Sequence, residues 1–168
     1  DWILQAEALD YLSRYDLPDA AGPVKAILGN DRGKPWLRSR ALLALSRIDP
    51  TQAVGLAASY STNPIVELRV AAAEICYELP AAKAAPIIEK LVAENTPLVT
   101  FNALAAHARQ LGKDAWKAAE PAMTNIPANC IEPATRALAW IGTEPALAKL
   151  GELARQDKSI PAMLRGLQ

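Results

Sequence analysis

Ala8-Leu9-Asp10-Tyr11-Leu12-Ser13-Arg14-Tyr15-Asp16 returns as Ala41-Leu42-Leu43-Ala44-Leu45-Ser46-Arg47-Ile48-Asp49, six residue types matching at an offset of 33 residues. In a chain rich in Ala and Leu some matches come by chance, but Ser-Arg-x-Asp in register does not. A fixed offset of this size marks repeats, each of which forms one supersecondary unit. The register runs outward from this pair. Leu4, Leu37, Leu68, Phe101, Ala134 and Met163 stand as first core residues of successive equivalent helices, at steps of 33, 31, 33, 33 and 29. Apolar residues then recur with a helical period: Leu37, Ala41, Leu45 and Ile48; Leu68, Ala72, Ile75 and Leu79; Phe101, Ala105, Ala108 and Leu111. Shorter apolar helices are expected between them, around Val24-Ile27-Leu28, Val54-Leu56-Ala57, Ile87 to Val92, Ala122-Met123-Ile126 and Leu147-Leu150-Leu153.

The 13 prolines follow the same pattern instead of clustering in a linker. Pro18, Pro50, Pro80 and Pro145 fall at the starts of the shorter helices, and Pro35, Pro64 and Pro97 at the starts of the longer ones. A missing N–H costs little there. Asn63-Pro64 and Thr96-Pro97 read as an N-cap followed by Pro at the first helical position. Pro23, Pro86 and Pro121 recur inside the shorter helices, where each should bend the helix. The expected fold is all-α, without β-sheet. It is a right-handed superhelix of about five helix pairs behind a leading helix, with residues 1–168 as one solenoid domain. Stacked units of this kind share one continuous core. Trp2-Ile3-Leu4 and Met163-Leu164-Gly166-Leu167 lack the polar face of a terminal repeat, so the chain is expected to be an excerpt of a longer protein.

Composition narrows the function classes. The 168 residues suit one domain or a short array, and 51% hydrophobic content argues against disorder. Lys and Arg number 18, as do Asp and Glu, so the net charge is +0, and a general nucleic-acid binder would need a basic excess. No apolar run reaches the roughly 18–20 residues of a membrane span. Cys76 and Cys130 have neither metal-ligand nor redox spacing, and read as small packed side chains.

The stretch Asn63-Pro64-Ile65-Val66-Glu67-Leu68-Arg69-Val70-Ala71-Ala72-Ala73-Glu74, with Asp31 ahead of Leu37-Arg38-x-x-Ala41, resembles the HEAT-repeat superfamily in its short bacterial form. The form is similar to the HEAT-like repeats of phycobilisome lyases. That resemblance implies a turn with Asp or Asn, then an aliphatic-Arg pair opening the longer helix of each unit. Phe101-Asn102 and Ala134-Thr135 replace the pair in later units. Iron-binding relatives use several His-Glu pairs, whereas this chain has the single His107. DNA glycosylases of similar fold use a basic, aromatic-lined groove, which the charge balance disfavours.

No catalytic or cofactor constellation emerges. Gly29-Asn30-Asp31-Arg32-Gly33-Lys34 lacks the preceding strand and Lys-Ser/Thr pair of a phosphate loop, and reads as an inter-helix loop with a Gly cap. The carboxylates Glu7, Asp10, Glu74 and Glu78 read as helix-face charges. The flank at anchor +3, +6 and +10, roughly 240–300° around each longer helix, forms a stripe. It holds Glu7, Asp10 and Arg14; Arg40, Leu43 and Arg47; Ala71, Glu74 and Glu78; Leu104 and His107; Ala137 and Trp140. Exposed Trp140 beside Arg136 has the chemistry of an interface anchor. The expected function is a non-enzymatic scaffold. It binds a protein, a peptide or a neighbouring domain through the concave face of the inner helices. Arg40, Arg47, Glu74, Glu78, His107, Arg136 and Trp140 would make the contacts, without cofactor, metal or nucleic acid. The alternative is a helical module of a larger bacterial enzyme or of a chromophore- or haem-handling protein.

Overall fold

A computed structural model describes residues 2–12, 14–15, 17–94, 96–155 and 164–167. Among these residues the chain is all-helical, with no strand. It divides into two compact units, residues 1–87 and 88–168. The first holds α1 (Trp2–Leu12), α2 (Ala21–Leu28), α3 (Pro35–Ile48), α4 (Ala53–Tyr60) and α5 (Val66–Ile75). The boundary falls within α6 (Ala81–Val92). The second unit holds α7 (Pro97–Leu111), α8 (Trp116–Ala119), α9 (Ile131–Ile141) and α10 (Glu144–Ala154).

In the first unit α3 is the central element, packed against α1, α2 and α5. Its buried residues Leu37, Ala41, Leu42, Leu45 and Ile48 follow the helical period of the sequence. Each fully buried Leu contributes about 1.5–3 kcal/mol. Leu68, Ala72 and Ile75 follow the same period on α5, against which α4 also packs. In the second unit α7 and α9 form the principal pair. Ala103, Ala105, Ala106, Ala134 and Ala137 are each 0% exposed, so small side chains occupy the closest-packed positions of these helices.

Several boundaries are set by prolines as expected. Pro35, Pro97 and Pro145 occupy the first turns of α3, α7 and α10. Pro18 and Pro50 open 3-10 turns that lead into α2 and α4. The Arg after each early anchor also has a defined role. Arg38 is buried, its Nε donating to the Leu28 carbonyl at 2.9 Å and its Nη2 to Asp31 Oδ1 at 2.8 Å. Arg69 Nη1 donates to the Asn63 carbonyl at 2.6 Å. Both guanidinium groups reach back to tie the preceding loop to the helix. Asn102, in the equivalent place on α7, donates from Nδ2 to the Leu98 carbonyl at 2.8 Å, within its own helix.

Other expectations are corrected. Asn63 does not cap α5. Its Oδ1 accepts the Ile65 N–H at 3.0 Å, a side-chain turn that delays the helix to Val66. Thr96 sits at the N-cap of α7, but its hydroxyl bonds Glu94 Oε1 at 3.1 Å and caps nothing. The short helix expected around Ala122 to Ile126 lies earlier. Gly112, at φ 56°, breaks α7 at once and a 3-10 turn starts α8 by Trp116. Ala122–Thr124 is a single 3-10 turn, and Pro121 follows α8 instead of bending it. Leu4 is 68% exposed, because α1 buries only Leu9. Met163 lies outside the described residues. Residues 164–166 are helical, and Gly166 is buried against α9.

Candidate functional site

The predicted stripe is best developed in residues 1–87. With α3 held by its buried face, Arg40, Leu43 and Arg47 are left on an accessible flank. Glu74 on α5 and Glu78 just beyond it complete the set. These side chains border two adjoining recesses that share Leu43, Arg47 and Glu74. The larger, about 540 Å³, has apolar walls from Leu43, Pro50, Val54, Ile75 and Leu79. Arg47, Glu74, Glu78 and Lys83 add charge of both signs around it. Its volume lies in the roughly 300–1,000 Å³ range of ligand sites. The smaller, about 340 Å³, is polar, with Asp10, Ser39 and Arg40 beside the shared residues. Arg40 Nη1 donates to Asp10 Oδ2. Both partners are more than 40% exposed, so the pair contributes about 0–1 kcal/mol and can open without cost to the core.

In residues 88–168 the stripe is narrower. His107 is half-buried, and burial pushes its imidazole below its ordinary pKa while the Glu89 carboxylate partly opposes the shift. Arg109 lies over the Trp140 ring, 5.6 Å from its centroid. Arg136 pairs with Glu132 at 3.2 Å, and Arg165 reaches the same carboxylate at 2.9 Å. Ala71, Leu104 and Ala137, read as part of the accessible stripe, are each 0–1% exposed. The wheel angle placed them on the flank, but these three side chains are covered by their surroundings, whereas Leu43 on the same flank is not. A shallow depression of about 370 Å³ borders Pro97, Phe101, Pro121 and Pro127; none of His107, Arg136 and Trp140 lines it.

Lys83, Pro50 and Val54 line the larger recess but were not among the predicted site residues, because the stripe was drawn on the longer helices alone. Their signal was there in the repeat, since the shorter helices and their proline-led starts must flank the longer ones. The Arg109 contact has no such signal, because it depends on how α7 and α9 cross. The Gly29–Lys34 segment is a tied loop: Gly33 N–H donates to the Asn30 carbonyl at 2.8 Å, and Arg38 holds Asp31. Cys76 is buried, which pushes its thiol up to about 12, and its Sγ bonds the Ala72 carbonyl at 3.3 Å. Among the described residues no three His, Cys, Asp or Glu side chains gather as metal ligands, and no helix is long and apolar enough to cross a membrane. The chain matches no protein-family profile, no curated protein and no solved structure.

Proposed function

We propose that the chain is a non-enzymatic scaffold of HEAT-like repeats that binds a protein or peptide partner on the α3–α5 flank. The larger recess carries this reading. Apolar walls bordered by Arg47, Glu74, Glu78 and Lys83 suit one bulky apolar side chain of a partner, with polar backbone and charges meeting the border. Mixed charge at the border fits a peptide better than a phosphate chain, which would call for cations alone. The adjoining polar recess at Asp10, Ser39 and Arg40 gives the same partner a second place of contact. Selection of peptides from a random library against the purified chain tests the reading. Enriched peptides are expected to share an aromatic or aliphatic anchor. They should lose about tenfold or more in affinity to Leu43→Arg, a change at the half-buried wall common to both recesses. Peptides that bind Leu43→Arg as well as the parent, or a selection that enriches nothing, would defeat the assignment.

A further inference from the structure

The two recesses on the α3–α5 flank meet at residues of two helices, Leu43 and Arg47 of α3 and Glu74 of α5, so an occupant of both lies across these helices. The charge on the two helices is segregated. Between Pro35 and Ile48, α3 carries the cations Arg38, Arg40 and Arg47 and not one carboxylate. Arg38 is buried and bound to Asp31, which leaves Arg40 and Arg47 as the charges that α3 gives to the recesses. From α5 and the turn behind it, the recesses receive Glu74 and Glu78 and no cation. Arg69, the cation of α5, is held at the Asn63 carbonyl and lines neither recess. The helices on either side reduce this step without removing it. Counted with Asp10 of α1, which pairs with Arg40, the α3 side keeps one net positive charge. Counted with Lys83 of α6, the α5 side keeps one net negative charge.

Arg40, Arg47, Glu78 and Lys83 are exposed. Pairs among exposed charges are weak, so the charges of an occupant exchange with them. Across an interface, like charges brought together reject a wrong partner more strongly than matched charges add affinity. The step from α3 to α5 therefore acts on the order of charges in the occupant. Resting on the reading that this flank binds a peptide, we infer that the partner is a dipolar segment. Its apolar anchor fills the larger recess, an acidic side chain lies on the α3 side by Arg40 and Arg47, and a basic side chain lies on the α5 side by Glu74 and Glu78. A segment with acids on both sides of the anchor brings like charge to Glu74 and Glu78. One with bases on both sides brings like charge to Arg40 and Arg47.

The test runs the random-library selection in parallel on the parent and on Glu74→Lys/Glu78→Lys, which makes both sides cationic. Peptides that bind the parent and depend on Leu43 should carry opposite charges on the two sides of their anchor. Making both sides acidic, or both basic, in one such synthetic peptide should weaken its binding to the parent about tenfold or more. The double variant should instead enrich peptides that are acidic on both sides, and should bind the doubly acidic peptide about tenfold or more tighter than the parent does. If the double variant does not fold, Glu78→Lys alone, at an exposed position, is read in the same way. Equal affinity of the doubly acidic peptide for parent and variant overturns the inference. So do peptides that lose affinity to Leu43→Arg yet show no order of charge, an outcome that leaves the peptide reading standing. A selection that enriches nothing on the parent defeats both.

Discussion

Arg38 and His107 are both polar side chains drawn into helical packing, and the difference between them is their partners. Arg38 keeps its charge under cover because the Leu28 carbonyl and the Asp31 carboxylate satisfy it. A buried charge without such partners would cost several kcal/mol. His107 instead yields to burial, so its folded pKa lies below the unfolded value near 6.5. The unfolded chain therefore binds the proton more readily than the folded one. The stability that His107 confers as a neutral ring is complete above the unfolded pKa and is lost as pH falls below it toward the folded value. It is the single histidine, so the window between pH about 7.5 and 5.5 is largely its own. Urea midpoints measured across that window should fall toward acid in the parent and stay level in His107→Gln. A parent as flat as the variant would show that burial leaves the imidazole unshifted.

At the scale of elements, alanine decides how closely helices approach. Ala137 on α9 and Ala106 on α7 are 0% exposed in the unit's main helix pair. Ala137→Leu would force extra methylenes into a closed site, at about 1–3 kcal/mol, although Leu is a good helix former and equally apolar. Chemical denaturation reads the loss, and an unchanged midpoint would place Ala137 beside a void. This closeness was only half legible beforehand. The period of Leu37, Ala41, Leu45 and Ile48 identified the inward face of α3, because helical spacing and burial share one geometry. The same reasoning left Ala137 and Leu104 on an accessible flank. A wheel drawn on one helix carries no information on which neighbours close over it. Leu4 failed for the opposite reason. Its pattern is that of a core residue, but a pattern needs a covering element, and the described residues place none there. The recess-lining residues were legible where they are long and charged, as at Arg40, Arg47, Glu74 and Glu78. The recess beside them was not, since its walls come from the helix starts at Pro50 and Val54.

At the scale of the molecule, helix packing is local in sequence. Each principal contact joins neighbours or next neighbours: α1 with α3, α2 with α3, α3 with α5, α4 with α5, α7 with α9, α9 with α10. If the helices stack as repeats, stability approximates a sum over adjacent interfaces, not a property of one shared centre. Removal of residues 144–168 takes away α10, with its buried Ala146 and Leu153, together with the Arg165–Glu132 pair and the close approach of Gly166 to α9. The interfaces of α1 to α5 and the α7–α9 pair remain in sequence. The shortened chain should therefore unfold at a lower temperature, yet lose helical ellipticity only in proportion to the helix removed. Circular dichroism of the two chains at one temperature below both transitions makes the comparison. An all-or-none loss of helix would mean that distant elements are coupled through a single core. The repeat register of Ala8 to Asp16 and Ala41 to Asp49 would then describe ancestry of sequence and not the way the chain is held together.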